Sequence, residues 1–455
     1  MTNIVWNHVL ASIPPNASEL IVSSLFVDPL LHSLGFDAQE RFPGFKTGRG
    51  ADAVDFAARK NHNGNNFLSS PVNPYLLVEV KGRATKAGGT INLKEGTPQY
   101  KATKEQITEY LLAPKCQTAQ WGIITNANNI QLFRRHGKVV IPATPCLLIN
   151  PGNINAIVAD IKQQIHNPPQ ALTICVYNNK GGVGKTTTTL NLAATLRKQN
   201  KKVLVVDFDS QRDLTKSLGL QTGTVSLFDC LTNTSLNIRQ AIVPFEVTIK
   251  ATKHWVFDVI PSDIRMEKYT DSNLAAQIQK GAARLRDLLK VFVNSYDYIL
   301  IDCPTQWIFF SESGIYASDV VLIPTKHNGF ASLENAARVI TEFLPQVKQV
   351  RQDGGPTALP IFFSGETITP SQLDMANSEI AAIIQREKGK SGFDLEPYYW
   401  PKRNPKENPK KIFTLPHYAI VANAAFERVP AVLRNTVVKQ YYLALAKEYF
   451  LYEQL

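Results

Sequence analysis

The sequence lacks the features that mark secreted, zinc-binding or membrane-spanning proteins. Only 5 of its 455 residues are cysteine, and no two of them form a C-x-x-C pair. This scatter argues against a disulfide framework or a zinc site and favours a reducing, cytoplasmic environment. No run of about 18 or more apolar residues occurs, so we expect no transmembrane helix. The N-terminus carries no Lys or Arg before its apolar stretch, so we expect no signal peptide.

What is present is an ordinary globular composition with an excess of positive charge. Hydrophobic residues make up 44% of the chain and charged residues 19%, which excludes a wholly disordered chain. Lys and Arg number 49 against 38 Asp and Glu, a net charge of +11. Such an excess is compatible with a polyanionic partner such as DNA, and it equally serves solubility.

A proline-rich segment separates two regions of mixed helices and strands. Residues 167–170, NPPQ, disfavour helix and are typical of a linker. We therefore expect one domain over residues 1–168 and a second over residues 169–455. In the second, apolar strands alternate with helices, which is typical of an α/β fold with a mainly parallel sheet covered on both faces. Its predicted helices are Lys185–Gln199, Asn273–Val293, Ser332–Val347 and Ala431–Leu455, and its predicted strands are Leu172–Tyr177, Lys202–Asp207, Val256–Ile260, Tyr298–Asp302, Val320–Pro324 and Leu359–Phe363.

A glycine-rich segment follows the first of these strands and opens the first of these helices. It has the sequence NNKGGVGKTT and spans residues 178–187. Its glycines allow backbone N–H groups to surround phosphate oxygens, and the helix N-terminus adds a positive dipole. Lys185 is expected to contact the β- and γ-phosphates and Thr186 to hold Mg²⁺. The predicted phosphate-binding residues are Gly181, Gly182, Val183, Gly184, Lys185, Thr186 and Thr187.

The string K-G-G-V-G-K-T-T resembles the deviant Walker A motif of the ParA/MinD family of ATPases. In that family an early lysine, at the position of Lys180, crosses a dimer interface to the partner's nucleotide. The resemblance implies ATP as ligand, Lys180 as a further nucleotide-binding and catalytic residue, and a homodimer that forms on ATP binding. It covers residues 170–350 well and the C-terminal part weakly.

A later strand is similar to a second motif of the same family. Residues 202–215, KVLVVDFDSQRDLT, resemble a strand that ends in D-x-D-P-Q-G-N. The resemblance implies that Asp209 orients the attacking water and that Asp207 lies at the metal site. Ser210 stands in place of the family's proline, and residues 212–213, Arg-Asp, stand in place of its Gly-Asn. These departures lie in the segment that follows Asp209, the family's switch loop.

Two further strands resemble a Walker B strand and the strand that leads to the adenine-side loop. Residues 297–304, DYILIDCP, resemble the Walker B strand, in which Asp302 would orient Mg²⁺. Residues 320–325, VVLIPT, resemble the adenine-side strand. Together with the phosphate loop, these strands indicate a P-loop ATPase.

Family members that segregate plasmids bind double-stranded DNA nonspecifically through basic residues near the C-terminus, and commonly act with a DNA-bound activator protein. A solvated basic loop is the alternative interpretation of those residues. The chain's last residues, KQYYLALAKEYFLYEQL, have few basic residues, so we expect no membrane contact. The candidate DNA-binding residues are Lys402, Arg403, Lys406, Lys410, Lys411, Arg428 and Arg434.

Charged side chains in the first region suggest a second site. In the predicted strand Tyr75–Lys81, YLLVEVK, the side chains of Glu79 and Lys81 share one face. Pairing with the predicted strand over residues 53–58, AVDFAA, would bring Asp55 beside them. Two carboxylates can hold Mg²⁺, and a lysine can position a water, which suits phosphodiester hydrolysis.

Gln106 and Tyr110 follow one helical turn apart on a predicted helix, Lys101–Leu112. The order D, E-x-K, Q-x-x-x-Y resembles the PD-(D/E)xK nuclease superfamily, especially the N-terminal nuclease of type I restriction subunits and RecB-like nucleases. The match covers residues 35–135 and implies a restriction-endonuclease-like α/β domain. Asp52 competes with Asp55 as the first acid. Glu40 is either an additional early acid or a surface charge.

The sequence therefore predicts a Mg²⁺-dependent nuclease-like domain fused to a ParA-type ATPase, acting in defence against foreign DNA or in plasmid maintenance. The alternative is a partition ATPase whose first domain only contacts DNA or a partner. A third interpretation is a metabolic or cluster-loading relative of the same ATPase group, and the lack of a C-x-x-C pair counts against the cluster-loading one.

Overall fold

A computed structural model describes residues 4–62, 64–85, 87–249, 251–270, 272–365, 367–401, 410–416 and 427–452. The chain divides into two units. The first comprises Met1–Pro168 and Gln352–Gly355, and the second comprises Pro169–Arg351 and Pro356–Leu455. Each unit contains a sheet of seven strands.

The first unit is a mixed sheet with helices. Its strands are β1 Arg41–Lys46, β2 Ala53–Ala58, β3 Leu76–Val80, β4 Trp121–Thr125, β5 Asn129–His136, β6 Val139–Pro142 and β7 Leu147–Leu148. Its helices are α1 Trp6–Ser12, α2 Glu19–Val22, α3 Asp28–Ser33, α4 Pro98–Leu111 and α5 Ile154–His166, and a π-helical turn joins α2 to α3. Strands β1, β2 and β3 are antiparallel neighbours, and β4 lies parallel to β3. Every residue of β3 is buried, because this strand lies in the middle of the sheet.

The second unit contains the mainly parallel sheet that the sequence predicts. Its strands are β8 Leu172–Val176, β9 Val203–Asp207, β10 Val243–Ile249, β11 Thr252–Ile260, β12 Tyr298–Asp302, β13 Val320–Leu322, β14 Pro324–Thr325, β15 Thr357–Ala358, β16 Phe362–Ser364 and β17 Phe413–Leu415. The order in the large sheet is β10-β11-β9-β12-β8-β13-β15, and only the β10–β11 pair is antiparallel. Strands β8, β9 and β12 are buried throughout, as expected for a sheet with both faces covered.

The helices of the second unit connect these strands. They are α6 Lys185–Lys198, α7 Asp213–Ser217, α8 Leu227–Thr232, α9 Ser272–Ala275, α10 Ala283–Leu289, α11 Phe309–Ala317, α12 Phe330–Arg338, α13 Leu344–Arg351, α14 Pro370–Ser391, α15 Glu396–Tyr399 and α16 Thr436–Tyr449. Because β8, β9 and β12 are parallel neighbours, their carboxyl ends meet at one edge of the sheet. This edge carries the phosphate loop and the two aspartate motifs.

Three predicted elements differ from the structure. The helix predicted over Asn273–Val293 is interrupted, because Lys280 and Gly281 take positive φ angles of +66° and +50°. The last helix begins at Thr436, where the Asn435 side chain accepts hydrogen bonds from two backbone N–H groups. The strand predicted over Leu359–Phe363 begins later, as β16 over Phe362–Ser364.

Candidate nucleotide site and carboxylate cluster

The glycine-rich loop joins β8 to α6, as predicted. Gly182 and Gly184 have φ angles of +72° and +84°, a backbone conformation that favours glycine. The Lys185 Nζ donates to the Lys180 carbonyl at 3.2 Å and to Thr305 Oγ1 at 3.0 Å. Burial lowers the pKa of Lys185, and the neighbouring carboxylates partly offset this effect. The Lys180 side chain is exposed, as an interaction with a second copy requires.

Thr186 and Asp302 lie together beside this loop. The Thr186 Oγ1 donates to Asp302 Oδ2 at 2.7 Å, and Thr189 Oγ1 donates to Asp302 Oδ1 at 3.4 Å. Burial and the neighbouring Asp207 raise the pKa of Asp302 well above its usual range. A buried carboxylate next to a hydroxyl and a lysine is a donor set that fits Mg²⁺ shared with phosphate oxygens.

Asp207, which is predicted to lie at the metal site, is opposite Asp302 in the neighbouring strand. Its Oδ1 accepts a hydrogen bond from the Asp209 N–H at 3.2 Å, and its Oδ2 accepts from the Thr215 N–H at 2.8 Å and hydroxyl at 2.6 Å. Its side chain is fully buried, and burial raises its pKa to about 6. Both oxygens of Asp207 are therefore engaged with the segment that carries Asp209.

Asp209 is partly buried and within electrostatic reach of Lys185. Its Oδ1 accepts a hydrogen bond from the Gln211 N–H at 2.9 Å. Arg212, which stands where the family has glycine, takes a left-handed conformation with φ +60°. Arg212 thus adopts the left-handed conformation that glycine adopts freely, at a cost of roughly 1 kcal/mol.

The strand that resembles the family's adenine-side strand lies next to the loop. The Asn178 Nδ2 donates to the carbonyls of Pro324 at 2.9 Å and Ser332 at 3.2 Å. A cavity of 210 Å³ opens against the phosphate loop. Its lining includes Gly182, Gly184, Thr187, Lys326, Ser364 and Tyr441.

Strand pairing in the first unit brings the predicted carboxylates together. The Asp55 Oδ2 accepts a hydrogen bond from the Val80 N–H at 2.6 Å, and Lys81 Nζ lies 2.5 Å from Glu79 Oε1. Burial and the Asp55 charge raise the pKa of Glu79 to about 7. Glu79 Oε2 is buried and receives no hydrogen bond from the described residues. This oxygen beside Asp55 fits a divalent cation.

Sequence reasoning missed a third carboxylate, Glu19, at the first residue of α2. Burial and the Asp55 charge raise its pKa, and its carboxyl lies within hydrogen-bond reach of Asp55. A Cβ at Gly82 would lie 3.1 Å from the Glu19 nitrogen, so glycine there allows α2 to begin against the end of β3. That glycine directly after Lys81 was the available signal.

The interpretation of Glu40 as a surface charge is wrong, and its role as an additional early acid stays a prediction. Its carboxylate is buried, binds Lys60 Nζ at 2.7 Å and accepts from the Asn61 N–H at 3.0 Å. Hydrogen bonding to these groups lowers its pKa although burial opposes the change. Asp52 is exposed, whereas Asp55 contacts the end of β3.

Gln106 and Tyr110 lie at the edge of the carboxylate cluster. The Gln106 Nε2 donates to the Tyr110 hydroxyl at 2.8 Å. Burial raises the pKa of Tyr110, and the charges of Glu79 and Asp52 add to the effect. The structure thus brings together both residues of the predicted Q-x-x-x-Y pair with the E-x-K strand. Among the described residues, no group of three or more His, Cys, Asp or Glu side chains has the spacing of a complete metal site.

The basic residues predicted to contact DNA fall into two groups. Lys402, Arg403 and Lys406 lie outside the described residues. The other four lie within the described residues. Lys410 Nζ lies 5.0 Å from the centre of the Trp400 ring, and Lys411 is exposed. Arg428 packs against Gly219, and Arg434 pairs with Glu427 at 3.6 Å. In the part of the chain that the structure covers, no helix is both long and apolar enough to cross a membrane.

Comparison with known proteins places the likeness in the second unit. Residues 171–354 match a family model described as AAA domain. Sporulation initiation inhibitor protein Soj of Bacillus subtilis is 35% identical over 176 residues, which are 38% of this chain and 66% of that protein. Chromosome partitioning protein ParA of Myxococcus xanthus is 33% identical, over 39% of this chain and 59% of that protein. The chain thus spans less than two thirds of the length of each.

Chromosome-partitioning ATPase Soj of Treponema pallidum is 35% identical over 42% of this chain and 68% of its own length. Among solved structures, the Cyanothece McdA(D38A)–ATP complex is 20% identical, with a TM-score of 0.48 over 63% of this chain and 99% of that one. MinD of Pyrococcus horikoshii, complexed with Mg-ADP, is 20% identical, with a TM-score of 0.41 over 61% and 95%. Both TM-scores are below 0.5, so the relationship rests on the sequence matches.

Proposed function

We propose that the chain, which belongs to the ParA/Soj family of partition ATPases, hydrolyses ATP through its second unit and cleaves DNA through its first. The observation that carries the ATPase function is the contact between Thr186 and Asp302 at 2.7 Å, beside the lysine of the phosphate loop. The expected location is plasmid or nucleoid DNA in the cytoplasm.

Each residue of the loop edge has a role in the proposed ATPase. Lys185 neutralises charge on the phosphates, and Thr186 and Asp302 hold Mg²⁺. When bound, Mg²⁺ supplies charge neutralisation at the phosphates. Asp209 orients the attacking water. Lys180 reaches the nucleotide of a second copy, so ATP joins two chains in a homodimer.

ATP hydrolysis and molecular mass with and without ATP test this proposal. The Lys185→Ala variant should lose ATP binding, because the lysine that contacts the phosphates is removed. Lys180→Ala should still bind ATP but should remain monomeric and inactive. Lys268→Ala, an exposed lysine outside the loop, is the matched control and should behave as wild type. Unchanged ATP affinity in Lys185→Ala would overturn the assignment.

The proposed nuclease site consists of Asp55 and Glu79 as metal-binding carboxylates, with Glu19 near Asp55, and of Lys81 as the group that positions a water. The Gln106–Tyr110 pair supports the site from α4. The support is the position of both carboxylates at the end of β3, where Asp55 accepts a hydrogen bond from the Val80 N–H at 2.6 Å and Glu79 pairs with Lys81 at 2.5 Å. Such a site is suited to defence against foreign DNA or to plasmid maintenance.

Cleavage of a linear DNA duplex with Mg²⁺ tests the nuclease separately from the ATPase. Wild type should cut the duplex, Glu79→Gln should not, and Glu105→Gln, an exposed glutamate on α4, should cut as wild type. The basic residues Lys410, Lys411, Arg428 and Arg434 are proposed to hold the DNA.

A second candidate function is a partition motor whose first unit only contacts DNA. The names of the relatives favour it, since two of them are partitioning proteins. In that case a DNA-bound activator protein would stimulate ATP hydrolysis. Intact duplex together with DNA binding that requires ATP would favour this candidate over the nuclease.

A further inference from the structure

Two buried residues with hydroxyl side chains, Thr215 and Ser262, form hydrogen bonds with the segment that carries Asp209. Thr215, in α7, donates its hydroxyl to Asp207 Oδ2 at 2.6 Å and accepts a hydrogen bond from the Ser262 N–H at 3.0 Å. Ser262, which follows β11, donates its hydroxyl to the Asp209 carbonyl at 2.7 Å. Thr215 is 4% exposed and Ser262 is 1% exposed.

These bonds fix both peptide groups of Asp209. Its N–H is held by the Asp207 carboxylate and its C=O by the Ser262 hydroxyl. Thr215 connects Asp207 with Ser262, because it donates to the Asp207 side chain and accepts from the Ser262 N–H. These three residues belong to separate elements: Asp207 ends β9, Thr215 lies in α7 and Ser262 follows β11.

The neighbouring strands explain why these elements meet. Strand β11 lies parallel to β9, with Ile260 opposite Val206. The ends of the two strands therefore lie at the same edge of the sheet, and the residues that follow them face one another. The hydrogen bonds between Asp207, Thr215 and Ser262 satisfy these buried polar groups, which would otherwise lower the stability of the fold.

We propose that Thr215 and Ser262 are positioning residues for ATP hydrolysis, which hold Asp209 where it orients the attacking water. This inference rests on the proposed ATPase function. It also assigns Asp207 a role as the hydrogen-bond acceptor that anchors the segment, in place of direct metal ligation. Both hydroxyls donate to the segment that carries Asp209, at the Asp207 carboxylate and the Asp209 carbonyl, so their loss should affect turnover and leave nucleotide binding intact.

The test compares Thr215→Val, Thr215→Ser and Ser262→Ala with a matched control. Valine has the shape of threonine but lacks its hydroxyl, and serine restores the hydroxyl. The control is Thr195→Val, because Thr195 is also buried, at 1% exposed, and its hydroxyl donates to the Asn191 carbonyl of its own helix at 2.7 Å. Each variant is assayed as the full chain for ATP affinity and for kcat with saturating Mg²⁺ and ATP.

Thr215→Val and Ser262→Ala should lower kcat by about ten-fold or more, because small displacements of a positioned group have large effects on rate. ATP affinity should stay within about two-fold of wild type, which separates a positioning role from a loss of folding. Thr215→Ser should recover most of the rate. Hydrogen exchange at the Asp209 and Thr215 amides should accelerate in the two slow variants.

Wild-type kcat in both Thr215→Val and Ser262→Ala would overturn the inference while the ATPase assignment stands. If Thr215→Val does not fold, Ser262→Ala carries the test, since it leaves the Asp207–Thr215 bonds in place. Absence of Lys185-dependent hydrolysis in wild type would instead refute the proposed function itself.

Discussion

The Glu79 carboxylate should destabilise the first unit at neutral pH unless a cation is bound. Its side chain is 3% exposed and lies beside the Asp55 charge, and its one ion-pair partner among the described residues is Lys81. Replacing it with glutamine keeps the size of the side chain and removes the charge. The Glu79→Gln variant should therefore be more stable than wild type at pH 8 although it lacks the proposed activity.

The magnitude follows from the pKa of Glu79. A value of about 7 in the folded chain, against an ordinary 4.5, corresponds to about 3 kcal/mol less favourable ionisation after folding. Glutamine also loses the ion pair with Lys81, so the net gain at pH 8 should be about 1–2 kcal/mol. Because the pKa of Glu79 is higher in the folded chain than in the unfolded chain, protonation of this carboxyl stabilises the fold. This contribution to the free energy of unfolding is complete below pH 4.5 and is lost as the pH rises through 7.

Hydrogen exchange of the β3 amides in the full chain, with EDTA present, reports the stability of the first unit alone. Glu79→Gln should be better protected than wild type at pH 8, and this advantage should disappear near pH 5. Mg²⁺ should then protect wild type but not the variant, because metal binding stabilises only a fold that holds the site. Glu105→Gln is the control. Equal responses to Mg²⁺, or a variant less stable than wild type at pH 8, would refute the reasoning.

Two further predictions concern the second unit. Gly314→Ala should lower its stability by about 1–3 kcal/mol in thermal unfolding, because the new Cβ would lie 2.2 Å from the Cys303 sulfur, and adding Cys303→Ala should restore part of the loss. Arg265→Gln should destabilise the unit by about 1 kcal/mol at pH 7, because Arg265 binds Asp229 and Asp263 at 2.8 and 2.6 Å. Burial raises the pKa of Asp263, but hydrogen bonds from Arg265 outweigh it and bring the value to about 2. The difference from wild type should therefore shrink as the pH falls from 4 towards 2, and a difference that stays constant over this range would contradict the assignment.

Local patterns were sufficient for the elements that carry the nucleotide site. The strand over Tyr298–Asp302 and the start of α6 at Lys185 lie where predicted, because apolar runs and the glycine-rich loop define them within a few residues. Helix α14 was missed although its signals were present: Thr369 and Gln372 form a capping box, and Gly392 ends the helix at φ +70°. The break at Lys280-Gly281 depends on a turn that the apolar spacing did not show.

Contacts between distant segments were beyond sequence reasoning. Glu19 joins the carboxylate cluster because α2 begins against the end of β3, a contact for which the glycine after Lys81 was the available signal. The engagement of Asp207 by Thr215 depends on the path of the chain after β9. The pairing of Asp55 with β3, in contrast, was predictable, since two adjacent strands of matching pattern commonly pair.

The most direct test of the central claim is incubation of the full chain with supercoiled plasmid and Mg²⁺, with and without ATP. Wild type should give nicked or linear plasmid, Glu79→Gln should give none, and comparison with Lys185→Ala should show how ATP controls the cleavage. Intact plasmid with wild type under every condition, together with ATP-dependent retardation of the DNA, would contradict the nuclease and leave a partition ATPase that only binds DNA.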